Sequence, residues 1–357
     1  MGGWVEGDPV GDRLFLDLPG PFHPERGGVL PSVRVAYETW GTLAADGGNA
    51  VLVEHALTGD SHVVGPAGPG HPTPGWWNGL VGSGAPLDTD RFFVVCANVL
   101  GGCQGTTGPS SPGPDGGHWG SRFPEVTVGD QVRVEAALAD ALGIDRWACV
   151  VGGSMGGMRA VEWAVALPDR VATLFFLASG AVATADQIGT QTTQQAAVRA
   201  DPRWAGGDYD RADPPVDGLG IARRIAHLTY RSAVELGERF GTRVQEDGGF
   251  AVASYLDHHA AKLAARFDAG SYVVLTQVMN TWDVGRDRGG VAAALGRVTA
   301  RSVVAGVDSD RLYPIGLQQE VADGLGVPLH VIASPYGHDG FLIETAAVGA
   351  LLRDLLP

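Results

Sequence analysis

Three residues in chain order have the types and spacing for nucleophilic catalysis: a serine at 154, an acid near 310 and a histidine at 338. Ser154 sits in Gly152-Gly153-Ser154-Met155-Gly156-Gly157, which matches the G-x-S-x-G spacing of a nucleophile elbow. The residues before it, Trp147 to Val151, are apolar or small and read as a buried strand. Met155 to Leu167 has a helical pattern that Pro168 stops. A chain that turns this sharply from strand to helix needs very small residues at the turn. The residue at the tip then projects its hydroxyl, and the helix starting there aims backbone N–H groups at an anion beside it.

A serine hydroxyl is a weak nucleophile at neutral pH and needs a base with a pKa near 7. Among ten histidines, His338 has the best placement, in Ser334-Pro335-Tyr336-Gly337-His338-Asp339-Gly340 after the last strand. A loop of small residues there projects a ring over the carboxyl edge of an α/β sheet. His55 also ends a strand but occupies the place of an oxyanion loop. His258 and His259 fall on a helical stretch, and His23, His62, His71, His118, His227 and His330 have no comparable position. The acid is expected after the preceding strand, where Gly306 to Pro314 offers Asp308 and Asp310. Asp310, followed by the turn Leu312-Tyr313-Pro314, is the favoured partner of His338; Asp308 is the alternative, and it equally suits capping or bracing the loop. The acid would hold the His338 tautomer and stabilise its imidazolium. The oxyanion hole is expected from the backbone N–H of Met155 and of Leu57, the latter in the loop after Glu54.

Positioning these residues requires an alternation of elements that the chain supplies. Apolar or alternating stretches predict strands at 33–40, 50–54, 92–96, 147–151, 172–177, 302–306 and 329–333. Helical periodicity occupies 128–142, 155–167, 315–325 and 341–355. Buried strands alternating with amphipathic helices predict an α/β fold with a mostly parallel sheet and helices on both faces. The alternation breaks after Ser179, and 181–290 reads as helices and loops, including 220–230 and 254–266. The expected organisation is a core of 1–180 and 291–357 with a helical cap, 181–290, inserted. The Asp/Pro/Gly-rich stretch 201–218 reads as a loop or partly mobile linker.

With 357 residues, 45% of them hydrophobic, the chain can bury a large core. A net charge of −15 argues against a nucleic-acid or anionic-membrane surface. Cys96, Cys103 and Cys149 are odd in number and lack metal-type spacing, so no metal site is expected and a reduced setting fits. Residues 1–20 have no apolar signal-peptide segment, and no run approaches the ~18 apolar residues of a membrane span. A cytoplasmic protein is the expectation.

Several motifs together resemble the homoserine O-acetyltransferases of the α/β-hydrolase fold. They are His55-Ala56-Leu57-Thr58-Gly59-Asp60-Ser61-His62, the run Asn98 to Pro109, the elbow, Ser309-Asp310-Arg311-Leu312-Tyr313-Pro314 and Tyr336-Gly337-His338-Asp339-Gly340-Phe341-Leu342. Weaker matches are Ile221 to Tyr230 and Arg266 to Tyr272, where Gly270 replaces an expected Asn. The resemblance covers nearly all of the chain after residue 30. It implies transfer of acetyl from acetyl-CoA to the hydroxyl of L-homoserine, on the direct route to methionine, through an acyl-Ser154 and a double displacement. It also implies acetyl-CoA as a co-substrate with no permanently bound cofactor, a deep tunnel roofed by the cap, and a homodimer formed through cap helices. By the same resemblance Arg223 would contact the substrate carboxylate and Asp339 its amine, with Thr58 and Tyr230 at the pocket. One fixed cation and one fixed anion suit a zwitterionic acceptor. Succinyl-CoA as donor, L-serine as acceptor, an esterase or other hydrolase with the same triad, and a non-catalytic binding module are the alternatives.

Overall fold

A computed structural model describes residues 2–356. In chain order the strands are β1 (Leu14–Leu18), β2 (Val33–Trp40), β3 (Ala50–Glu54), β4 (Val81–Gly82), β5 (Leu87–Asp88), β6 (Phe93–Ala97), β7 (Cys149–Gly153), β8 (Thr173–Leu177), β9 (Arg301–Val307) and β10 (Leu329–Ile332). The two-residue strands β4 and β5 pair only with each other; the rest form one sheet in the order β1-β2-β6-β3-β7-β8-β9-β10. From β6 to β10 in that order every neighbour is parallel, while β1–β2 and β2–β6 are antiparallel. The carboxyl ends of the parallel strands therefore share one edge, which is where an open α/β sheet carries its ligands.

The sheet is covered on both faces, and the strand period of two sorts its residues between two cores. Leu52, Val95, Val150 and Leu174 face a core that includes Val132 and Leu138 of α1 (Val128–Ala141), Met158 and Val161 of α2 (Met155–Ala166) and, farther along the chain, Val321. Val51, Val53, Val94, Val151 and Phe175 face the other, built from Trp77, Leu80, Val348 and Leu352. Burial on both faces explains why β3, β7 and β8 read as continuous apolar runs rather than as alternation.

Between β8 and β9 the described residues contribute helices and no strand of the sheet: α3 (Ala185–Ala200), α4 (Val216–Tyr230), α5 (Ala233–Phe240), α6 (Ala251–Ala264), α7 (Ala269–Asn280) and α8 (Val291–Leu295). The chain then adds α9 (Ile315–Leu325), the four-residue α10 (Gly340–Ile343) and α11 (Thr345–Leu355). Two expectations change in detail. The helix expected over 341–355 is two pieces, because Glu344 at φ −81°, ψ 53° leaves helical geometry. The stretch 201–218 is not simply a loop. It holds a 3-10 turn at Pro202–Gly207, and α4 starts within it at Val216. Asp201 ties the segment together, its carboxylate accepting from the N–H groups of Arg203 (3.0 Å) and Gly218 (2.9 Å).

A buried polar cluster fastens the N-terminal segment to β2 and to the loop after β3. Ser61 Oγ donates to Glu38 Oε1 (2.6 Å) and His62 Nδ1 to Glu38 Oε2 (2.9 Å). The His71 ring stacks on His62 at 3.8 Å, and its Nε2 accepts from the Asp12 N–H (2.9 Å). Donor atoms of Asp12, Glu38, His62 and His71 come within 4.8 Å of one another, a grouping from separate segments that no spacing in the sequence signalled. Those of Glu38, His62 and His71 are already engaged in the hydrogen bonds just described.

Burial disfavours the His62 cation, but Glu38 outweighs it and raises the His62 pKa above its ordinary 6.5. Burial pushes Glu38 up, but its bonds to His62 and Ser61 bring it below 4.5. Stability from a raised histidine is complete below pH 6.5 and lost as pH climbs through the folded value. That from a depressed carboxylate is present above pH 4.5 and lost as pH falls through the folded value. The stability gap between native protein and His62→Gln should therefore be widest between about pH 4.5 and 6.5, at roughly 1.5–3 kcal/mol, and narrow on either side. Urea unfolding of both proteins across pH 4–9 measures it; a gap that does not vary with pH would assign the pair a packing role only.

Candidate active site

Ser154 lies at the carboxyl end of β7, flanked in the sheet by β3 and β8. Its backbone is held at φ 58°, ψ −125°, a conformation that non-glycine residues rarely adopt. The two glycines of the elbow make this turn possible. A Cβ at Gly152 would sit 2.2 Å from Gly156 O, and one at Gly156 would sit 2.1 Å from Glu54 O. α2 begins at Met155, whose N–H, as the first of the helix, has no carbonyl one turn back to bond.

His338 sits in the 3-10 turn Gly337–Asp339 after β10. Its Nδ1 donates to Asp310 Oδ2 at 2.6 Å, and its Nε2 accepts from Ser154 Oγ at 2.9 Å. The other Asp310 oxygen accepts from the N–H groups of Leu312 and Tyr313, both at 2.8 Å, so the carboxylate cannot rotate away. All three side chains are buried, and the Tyr313 ring stacks on the imidazole at 5.2 Å. Asp308 instead accepts from Ser334 N–H at 3.0 Å, bracing the loop that carries His338. The geometry therefore joins Asp310 rather than Asp308 to the histidine.

These groups open onto a narrow cavity of about 90 Å³, whose walls include Leu57, Thr58, Arg223, Tyr230 and Asp339 beside Ser154 and His338. Arg223 Nη1 donates to Thr58 Oγ1 at 3.3 Å, and its guanidinium lies over the Tyr230 ring at 5.2 Å. Its neighbour Arg224 points elsewhere, to Asp257 on α6. Of the side chains expected at the site, Ser154, His338, Leu57, Thr58, Arg223, Tyr230 and Asp339 thus line one cavity, while Asp310 lies behind His338 and Met155 follows the nucleophile at the start of α2. The arrangement is that of acyl transfer through a serine ester. It pairs a nucleophile with an oriented base, starts a helix directly after the nucleophile, and places one cation and one anion on the walls.

The family model described as the alpha/beta hydrolase fold matches residues 49–345. The homoserine O-acetyltransferase of Thermobifida fusca (strain YX) is 62% identical over 365 residues, covering 99% of this chain and 96% of its own. The chain belongs to the homoserine O-acetyltransferase family. Two solved structures carry the same architecture. Homoserine O-acetyltransferase from Bacillus anthracis aligns with a TM-score of 0.89 at 24% identity, covering 97% of this chain and 98% of that one, a likeness of fold. Esterase E22 aligns with a TM-score of 0.89 at 26% identity, covering 97% and 99%.

Two features of this family member's site had no signal in its sequence. Arg159 on α2, fully buried, meets Glu54 and Glu135 at 2.6 Å each and donates to His55 O, also at 2.6 Å. The bond to His55 O fastens the loop carrying Leu57 to the helix that starts after Ser154. The His55 ring holds the same loop from the other side, with Val99 N–H donating to its Nε2 at 3.1 Å and its Nδ1 donating to Ala56 O at 2.8 Å. Burial, then the charge of Arg159, lower the His55 pKa to about 3, so it serves as a neutral strut. The second feature is Arg231, which reaches Asp339 Oδ2 at 3.4 Å and Glu235 at 3.2 Å. Loss of solvation raises the Asp339 pKa, and Arg231 opposes that shift. The acid beside His338 thus has a cation of the protein itself within reach.

Proposed function

We propose that this protein transfers the acetyl group of acetyl-CoA to the hydroxyl of L-homoserine through an acyl-Ser154 intermediate, a step of methionine biosynthesis. The observation that carries the reading is the Ser154–His338–Asp310 relay opening onto a cavity with Arg223 and Asp339 on its walls. In the first half-reaction Ser154 Oγ attacks the thioester carbonyl while His338 Nε2 takes the hydroxyl proton. The oxyanion is held by the backbone N–H groups of Leu57 and Met155. The C–S bond breaks, the thiolate takes the proton from the imidazolium, and acetyl-Ser154 remains. In the second, homoserine's hydroxyl gives its proton to His338 and attacks the ester. The bond to Ser154 Oγ breaks and the serine recovers its proton. Arg223 would hold the acceptor's carboxylate and Asp339 its ammonium, with Thr58 and Tyr230 positioning Arg223.

Residues 181–290 act in this reading as a cap over the core, which admits the acceptor and limits water. The same segment supports a homodimer: Ile221, Leu228, Val234 and Phe250 are large apolar side chains left exposed on it or at its helix ends. No helix of the described residues is long and apolar enough to cross a membrane, and a cytoplasmic location fits acetyl-CoA as co-substrate.

Arg223→Leu tests the acceptor clamp. Acetylation of Ser154 should be nearly unchanged, because acetyl-CoA brings no α-carboxylate to this residue. Homoserine-dependent deacylation should fall about 10- to 150-fold, the scale of a charge-assisted contact of roughly 1.5–3 kcal/mol. Hydrolysis should then gain on transfer. Arg224→Leu is the control, its side chain pointing about 100° away on the helix and pairing with Asp257. Pre-steady-state measurement of the two half-reactions decides; equal damage to both in Arg223→Leu would make that residue structural. The likeness to esterase E22 favours hydrolysis as the second reading. A matrix of acetyl- and succinyl-CoA against L-homoserine, L-serine and water separates these outcomes.

A further inference from the structure

The buried side of α3 is built of amides. Gln187, Gln191, Gln194 and Gln195 recur at helical spacing, and each is no more than 5% exposed. An inward helix face is ordinarily aliphatic, and a buried amide is costly unless it is hydrogen-bonded. Three of the four are bonded within the protein. Gln187 accepts from Thr184 N–H at 3.0 Å and donates to Leu312 O at 2.8 Å. Gln194 Oε1 accepts from Tyr272 OH at 2.7 Å, and Gln195 donates to Thr276 Oγ1 at 3.1 Å. Gln191 differs: its Oε1 is buried without a hydrogen-bond partner. Gln191 also lines the cavity that holds Ser154 and His338.

Charge matching indicates what the amide is for. The acceptor proposed above carries a carboxylate and an ammonium, and Arg223 and Asp339 on the cavity walls match them. The donor brings uncharged polar groups into the same space, the secondary amides of the arm that ends in its thiol. Each has one N–H and one C=O, which a primary amide complements with one acceptor and one donor. We propose that Gln191 is a specificity residue for the acyl donor, hydrogen-bonding an amide of the pantetheine arm and so setting the thioester carbonyl at Ser154. The proposal rests on the acyl-CoA reading and adds the group that distinguishes an acyl-CoA from a simple acetyl ester. It confines Gln191 to the first half-reaction, because the arm departs with the thiol.

The test compares native protein with Gln191→Met, which keeps length and volume and removes both hydrogen-bonding groups, with Gln191→Leu as a second variant. Acylation of Ser154 is measured with acetyl-CoA, with S-acetylpantetheine, which has the arm but no nucleotide, and with p-nitrophenyl acetate, which has neither. Deacylation of preformed acetyl-enzyme by homoserine is measured separately. The expected result is a loss of kcat/KM of about 10-fold with both pantetheine donors, the scale of one or two neutral hydrogen bonds. The p-nitrophenyl acetate rate and the deacylation rate should be unchanged, the former also reporting an intact site. Equal loss with p-nitrophenyl acetate, loss in deacylation alone, or no loss with either pantetheine donor would each overturn the assignment. Native protein that p-nitrophenyl acetate acetylates on Ser154 but acetyl-CoA does not would overturn the acyl-CoA reading itself, a separate outcome.

Discussion

Ser154→Ala protein incubated with acetyl-CoA alone should gain no mass, whereas the native protein should gain one acetyl group on Ser154. Turnover should fall by roughly 10³-fold or more, the scale seen when a triad member is removed and only binding and oxyanion stabilisation remain. The substitution removes one oxygen from a backbone already committed to φ 58°, and alanine meets the same steric constraint as serine there. Stability should therefore be little changed, so lost activity can be separated from lost fold by thermal unfolding of the same sample. Intact-mass measurement followed by peptide mapping is the check. An acetyl group mapped to another residue, or turnover that survives the substitution, would contradict the nucleophile assignment.

Asp310→Asn should lower turnover by up to ~10⁴-fold, and Asp308→Asn far less. The reason lies in how Asp310 is held. One of its oxygens is fixed by two backbone N–H groups, leaving the other to accept from His338 Nδ1. In the asparagine variant the carbonyl oxygen takes the backbone donors and the amide N–H₂ faces Nδ1. Nδ1 must then become the acceptor, which moves the ring proton to Nε2, where it points at Ser154 and cannot receive the hydroxyl proton. The Asp308 carboxylate accepts from Ser334 N–H, a contact that asparagine's carbonyl oxygen can keep. Steady-state rates of the two variants, with acylation followed separately, decide between them. A larger loss in Asp308→Asn would mean that His338 takes its proton partner from the other side of the loop.

The elements were legible because their signals are local. The apolar runs at β3, β6, β7 and β8 mark strands buried on both faces, and these four fall within a residue or two of those expected, whereas the edge strand β1 and the two-residue β4 and β5 were not expected as strands. Helix ends were less legible: α4 begins at Val216, four positions ahead of the expected 220, directly after Pro215. The break at Glu344 was invisible to periodicity, because α10 and α11 keep a similar apolar pattern on both sides of it.

The serine could be assigned from local residues alone, since a G-x-S-x-G turn between a buried strand and a helix demands glycine where any Cβ would strike backbone. So could the histidine's loop, the region of the acid, and the family, whose motifs occupy contiguous stretches. Tertiary structure decided whatever depends on a partner distant in the chain. The register of β9 and β10 chose Asp310 over Asp308 by bringing Val307 opposite Ile332. Packing of α4 against the His338 turn paired Arg231 with Asp339 across 108 residues. Folding placed Glu38 beside His62, Arg159 between two glutamates, and Gln191 at a cavity wall without a partner. The physical reason is common to all of them. A strand or turn is specified by the steric and apolar character of neighbouring residues. The role of a polar side chain is set by its loss of water and by the groups that replace it, and those arrive from elsewhere in the fold.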